Sequence, residues 1–246
     1  MSRRSFIRNS AAAAALSSSL AAPGHAPGAD APFLAGVAVR DITPEPGIPM
    51  WGYSERTGPS TGTLDPLHAK AVVFRAGGQT AAIVALDLGR VPLKASCDRI
   101  RAAAQSAGVD QVFLAASHTH HAPAMEMEGA PHVDAIEKAI IACIEEAAAG
   151  VRPARLGLGR ATFDVSHNRR ILTRDGRCIM LWRNAERRLT RPIDHEAGLV
   201  KIEDADGQLM AVLVNFACHP VVMGPDNREY SADYPGEMAR IVKEAT

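Results

Sequence analysis

The stretch FLAASHTHHAPAM, residues 113–125, places His118, His120 and His121 within four positions, directly after an apolar run. A second apolar run, LMAVLVNFA, leads into Cys218-His219-Pro220. Both put imidazoles where a chain leaves a sheet, the usual location of sites in α/β proteins. Neutral imidazole is a preferred ligand of zinc, and an HxH pair with a remote histidine is a common way to hold it. In an extended segment His118 and His120 point to the same side, so both face one centre. Further ligands are expected among Asp226, Tyr230, Asp233 and Tyr234. HTHH alone also suits a polar surface turn; the second strand-end histidine favours the metal.

Other histidine chemistries fit less well. The HxHxD pattern of metallo-β-lactamases fails at Ala122, and barrel amidohydrolases carry HxH on their first strand, whereas three strand-like runs precede it here. A Ser-His-Asp hydrolase needs a GxSxG elbow, which the sequence lacks. His68, His132, His167 and His195 have no liganding spacing and read as surface or hydrogen-bonded groups. Asp87 ends a strand and either faces the site or caps the next loop. Met125 and Met127 line an acyl groove or serve as packing. Trp51 and Tyr53 suit part of a substrate wall.

The elements that must carry these groups read as α/β. AGVAVRDI, KAVVFRA and TAAIVALDLG are strands, and RAGGQT turns the last two into a hairpin. Residues 93–104 carry a helical apolar stripe that Gly108 caps. QVFLAAS is a buried strand by its uninterrupted apolar character. Residues 133–149 form a helix closed by Gly150, and 154–165 a strand. NRRILTRDGRCIMLWRN reads as a hairpin turning at Arg174-Asp175-Gly176. Asp206-Gly207 turns a hairpin between 197–202 and 209–216. The last segment, YPGEMARIVKEAT, starts a helix with Met238, Ile241, Val242 and Ala245 on one side. The fold class is α/β: a mixed sheet with flanking helices and the site at strand ends, not a strictly doubly wound sheet.

Composition narrows the partners. The 246 residues hold 27 basic and 27 acidic side chains, so nothing in the net charge suggests nucleic acid. Aromatics are 4% of residues, too few for a base-stacking surface, while 47% hydrophobic residues supply a core. Residues 1–30 read as a twin-arginine export signal and spacer: Arg3-Arg4, then Phe6-Ile7, a weakly apolar run, and an Ala/Pro/Gly stretch containing His25. That route carries folded proteins out of the cytoplasm, and the run is too short and Ser-rich to span a bilayer. Residues 31–246 are expected to form the domain that carries the histidine site. Cys97, Cys143, Cys178 and Cys218 lack CxxC spacing and read as buried free thiols, with one disulfide left open.

Several segments together resemble the neutral/alkaline, non-lysosomal ceramidases. VAVRDITPEPGIPMWGY is similar to the family's opening strand and loop, and LDPLHAKAVVF with IVALDLG to its next strands. AASHTHHAP resembles its THTHSGP element, SHNRR its Asn-Arg motif, and NFACHPVVMGPDN…SADYPG its second-histidine block. The resemblance runs over 34–246, and its motifs fall in the family's order.

The resemblance implies that His118 and His219 bind zinc, with His120 and Arg169 beside the metal stabilising the oxyanion of amide attack. Asp41 would be a second-shell or loop-organising carboxylate; Asn168 and Asp233 would support the site or its substrate. The implied reaction is hydrolysis of an N-acyl lipid to a fatty acid and an amine, with peripheral membrane contact allowed. Position 121 is His rather than Ser, 122 is Ala rather than Gly, and HPVVM replaces HGTSM, which puts the sphingolipid substrate in question more than the metal. The family's remaining Glu and Tyr ligands and its Gly-Asp-Val-Ser/Asn-Pro loop do not occur before Thr246, so a C-terminally truncated piece is expected. The alternatives are a non-catalytic lipid- or partner-binding module on the same fold, or a metal-dependent esterase or phosphoesterase.

Overall fold

The structure, a computed structural model, describes residues 32–188 and 190–246. The expected export signal at 1–30 lies outside the described residues. The chain opens with β1 (Leu34–Asp41), the short β2 (Gly62–Thr63), β3 (His68–Ala76) and β4 (Gln79–Leu86). Gly77 and Gly78, at φ 57° and 77°, supply the two positive values that a two-residue hairpin loop requires, and set Ala76 opposite Gln79. Helix α1 (Lys94–Ser106) then crosses to β5 (Gln111–Ala116), which pairs parallel with β4.

Helix α2 (Pro131–Ala149) lies against β1 and β3 and beside α1. The sheet face beneath the helices is built from small residues, Ala38, Ala71, Val73, Ala82 and Val84, and it meets Ile100, Ile136, Ile140 and Ile144 in the main core. Alternation along each strand produces this face, because every second side chain points to it.

Strand β6 (Arg152–Thr162) is followed by a hairpin of β7 (Arg170–Leu172) and β8 (Cys178–Met180), then β9 (Glu196–Asp204), β10 (Leu209–Phe216), β11 (Glu229–Tyr230) and α3 (Asp233–Ala245). The large sheet has seven strands in the order β10-β9-β6-β1-β3-β4-β5, and β4–β5 is its one parallel pair. The fold is therefore mixed α/β, with a large mixed sheet and three helices among the described residues.

The two halves of the sheet join only where Leu34 pairs with Pro153 and Ala35 with Arg152. Beyond that seam β6, β9 and β10 fold back over the face of β1 and β3 that the helices leave free. A second core cluster fills the gap: buried Ala35, Val72 and Ile202, with Val37, Phe74, Val200, Met210 and Leu213 packed against them. This folding brings the ends of β5 and β10 together although they are opposite edges of the sheet.

Two sequence expectations need correction. QVFLAAS is an edge strand and not a buried one; Phe113 is 65% exposed, because among the described residues β5 has β4 on one side and no strand on the other. Cys97 and Cys143 are buried, but Cys178 is exposed on β8 and Cys218 only half-buried, and all four thiols are free. The final helix expected from YPGEMARIVKEAT is present as α3, with Ile241 51% exposed and Asp233 its one buried residue.

Candidate metal centre

After β5 the chain leaves the sheet with the Ser117 amide donating to Leu86 O and the His118 amide to Leu88 O. His118 then adopts φ 69°. The HTHH segment is thus not extended, and strand alternation is not what aligns its histidines. The turn at His118 does this, and two bonds of Thr119 hold it: its hydroxyl donates to Ser231 O at 2.8 Å and accepts the His121 amide at 3.2 Å. The Ser231 amide in turn donates to His121 O.

Within this frame His118, His120 and His219 each direct one ring nitrogen to a common point, all within 4.8 Å of one another. The Nε2 atoms of His120 and His219 stand 2.9 Å apart. The His118 Nδ1–H donates to Gly89 O at 2.8 Å, which fixes the tautomer and leaves Nε2 with a free lone pair. Burial, then the nearby His219, His118, His121 and Arg56, pushes His120 down to about 3. Burial, then Arg169 and His118, pushes His219 down to about 4. Both rings are therefore neutral at physiological pH, the form that binds a cation.

Aromatic rings and backbone enclose the cluster. Trp51 meets His118 and His120 edge-on at centroid distances of 4.7 and 5.0 Å, and Tyr53 meets His120 at 4.7 Å. Gly52 lies between them at φ 111°, and a Cβ there would fall 2.4 Å from the His120 ring. A Cβ on Gly89 would fall 2.2 Å from the Trp51 indole. The loop before β2 is tied to the HTHH segment by the Trp51 amide on Ala122 O and the Ala124 amide on Pro49 O.

Behind this wall lies a second, buried cluster around His121. Arg56 donates through Nη2 to His120 O at 2.7 Å and to His121 Nδ1 at 3.1 Å, and through Nη1 to Trp51 O at 3.0 Å. Asn227 Nδ2 also faces His121 Nδ1, at 3.1 Å. With two donors on it, Nδ1 must be an acceptor, so the proton sits on Nε2, 3.7 Å from Asp233 Oδ2. Burial and Arg56 push His121 down to about 4, so it too is neutral.

A family model described as neutral/alkaline non-lysosomal ceramidase, N-terminal, matches residues 33–246. The chain belongs to this family. Its fold is similar to that of the neutral ceramidase from Pseudomonas aeruginosa, with a TM-score of 0.68 and 26% identity over 84% of this chain and 35% of that one. It is also similar to a ceramidase complexed with C2, at TM-score 0.67 and 26% identity, over 84% of this chain and 34% of that one. The chain thus spans about a third of the length of these solved relatives.

Within this ceramidase-family chain, the other expected site residues fall around the cluster rather than in it. Arg169 lies near enough to depress His219, with its guanidinium 5.3 Å from the centre of the Trp182 ring. Asn168 shapes its own loop, accepting the Arg170 amide through Oδ1 and donating to Pro192 O. Asp41 accepts the Thr43 amide at 2.7 Å and is exposed; no hydrogen bond joins it to a histidine of the cluster among the described residues. Asp233, at φ 58°, accepts the Val222 and Tyr234 amides, so it ties the loop after His219 to α3, and burial raises its carboxyl.

Of the proposed additional ligands, none joins the three histidines. Asp226 is exposed, Tyr230 is fully buried, and the Tyr234 hydroxyl donates to Cys218 O at 2.8 Å, steadying the residue before His219. Asp87 faces away into an ion pair with Lys70 at 2.5 Å and accepts the His68 amide. Burial works to raise its carboxyl, but these two partners outweigh it and hold it below the usual range. Met125 is 1% exposed in the main core, so the acyl-groove reading fails there. His132, His167 and His195 each hydrogen-bond a backbone carbonyl. Nothing local in the sequence marks Arg56, Asn227 or this role of His121, which stands out there only as one of three clustered histidines and a departure from the family element.

Proposed function

We propose that this chain carries the histidine part of a zinc centre in a hydrolase that cleaves the N-acyl bond of a ceramide-like lipid, and that it is exported by the twin-arginine route. The observation that carries the metal reading is the convergence of three imidazoles, His118, His120 and His219. His120 and His219 aim Nε2 at each other, and their Nδ1 atoms are buried without partners. A cation on the Nε2 lone pairs of His118 and His219 would leave the Nε2–H of His120 facing the same point as a donor. The donor set is all nitrogen, which suits zinc. Family membership supports the hydrolase, and its substrate class is part of the proposal.

In this reading His118 and His219 hold the metal, His118 being oriented by Gly89 O. A zinc ion held there by His118 and His219 would supply polarisation of the amide carbonyl and a more acidic water. His120, neutral and wedged between Trp51 and Tyr53, presents Nε2 to the oxygen on which charge develops. The Arg169 guanidinium adds a fixed positive charge on the His219 side, which favours that oxyanion without reorganisation at the moment of reaction. Trp51 and Tyr53 keep water from the His120 side, where a lower dielectric strengthens both interactions.

Zinc titration of the purified chain tests the centre, with imidazole NMR signals as the readout. Shifts of His118 and His219 that saturate near one zinc per chain, and vanish in His118→Ala and His219→Ala, are expected. Hydrolysis of N-acyl sphingosine, compared with an ester of the same chain length, then tests the bond cleaved. Absence of zinc binding sinks the centre and leaves a binding module; ester cleavage without amide cleavage moves the enzyme to the esterases.

A further inference from the structure

Among the described residues the hairpin of β7 and β8 pairs with no other strand, and it presents apolar side chains to solvent. Register places Leu172 opposite Cys178 and Arg170 opposite Met180, so these four share one face, with Ile171 and Ile179 on the other. Trp182, two residues beyond Met180, is 67% exposed, and Leu172 and Met180 are exposed at 52% and 38%. Singly exposed hydrophobic residues need no explanation, but a contiguous apolar stripe on one small element marks a contact surface.

Charge identifies the contact. Residues 169–191 contain eight arginines against two acids, in a chain whose 27 basic and 27 acidic residues cancel over its whole length. One acid, Asp175, pairs with Arg177, and the other, Glu186, with Arg188. Arg170, Arg174 and Arg183 form no salt bridge among the described residues, and Arg170 sits on the same face as the apolar stripe. An anionic bilayer matches both properties. Arginine stems lie along apolar surface while their heads reach the headgroups, and tryptophan favours the interface. A nucleic acid would use stacking aromatics, and this segment has one, amid leucine, isoleucine and methionine.

We propose that the β7–β8 hairpin docks this protein on anionic lipid surfaces. Docking through this hairpin holds Arg169, which stacks on Trp182, and with it the His219 side of the centre, close to the bilayer. The docking surface stands apart from the zinc reading, since membrane binding is measured without turnover.

Trp51 and Trp182 are the two tryptophans, so the Trp51→Phe full chain reports on Trp182 alone. It would be mixed with phosphatidylcholine vesicles with and without phosphatidylglycerol, and with a brominated lipid as quencher. Expected is a blue shift and quenching of Trp182 only with the anionic lipid, weakened by added salt. Arg174→Gln and Arg170→Gln should each weaken binding about fivefold, and Leu172→Ser with Met180→Ser should abolish the blue shift, with circular dichroism unchanged. An unshifted Trp182, equal binding to neutral vesicles, or binding that ignores Leu172 and Met180 overturns the proposal. So does equally tight binding to a single-stranded oligonucleotide, which would mark a general polyanion surface.

Discussion

Arg56 holds together parts of the site that are far apart in sequence. Its fork reaches two backbone carbonyls, of Trp51 and His120, and the ring of His121. Lysine keeps the charge but offers a single point of donation in place of a planar fork. Arg56→Lys should therefore keep the fold yet loosen His120 and lower amide hydrolysis by about 10- to 100-fold; a hydrolysis assay beside a urea melt separates the two effects. Arg56→Ala leaves buried acceptors without donors, at about 1–3 kcal/mol each, and should lower the urea midpoint as well. Gly52 makes a sharper case. Both its φ of 111° and the 2.4 Å approach to His120 exclude a side chain. Gly52→Ala should displace His120 and remove its contribution to amide hydrolysis, while far-UV circular dichroism stays as it was.

At the scale of elements, β1 and α2 meet more closely than any side chain allows. A Cβ on Gly36 would lie 2.0 Å from Ala147 O and 2.9 Å from Val151 N, both backbone atoms that cannot rotate away. Gly36→Ala should cost about 1–3 kcal/mol, toward the upper end, read as a fall in the urea midpoint with zinc stoichiometry retained by the molecules that fold. Elements such as β1, β3, β4, α1 and α2 were legible in the sequence because each carries its own period and its own turn or cap, as at Gly77-Gly78. The exposure of β5 was not, because an apolar edge strand and an apolar central strand read alike. Short β2 and β11 have no periodicity to read and exist only through pairing with each other. The same division runs through the site. His118, His120 and His219 were visible from residue type and strand-end position. Arg56 and Asn227 were not, since each reaches His121 across 65 and 106 residues respectively, and nothing local distinguishes them from solvent-facing loop residues.

For the molecule as a whole, folding sequesters several titratable rings at one junction between two parts of a sheet. His120, His121 and His219 are held at about 3, about 4 and about 4, all below their ordinary 6.5. Between those values and 6.5 the unfolded chain binds more protons than the folded one, so stability falls as pH falls through this window. Above 6.5 both states are neutral at these rings and the contribution is fully present. Asp233 acts in the opposite sense: its raised carboxyl takes up a proton in the folded chain before it would in the unfolded one, offsetting part of the loss at the acid end. Thermal melts from pH 7.5 down to 5 should show a falling Tm, with a slope of at most about 1.4 kcal/mol per pH unit for each ring that must stay neutral. His121→Asn, whose side-chain oxygen can still accept from Arg56, should flatten the profile by one ring's share. Zinc at saturating concentration should raise the whole curve and steepen its acid side, because protons and metal compete for the same nitrogens. A Tm independent of pH across this range would mean that the three rings titrate normally and that burial at the sheet junction does not hold them neutral.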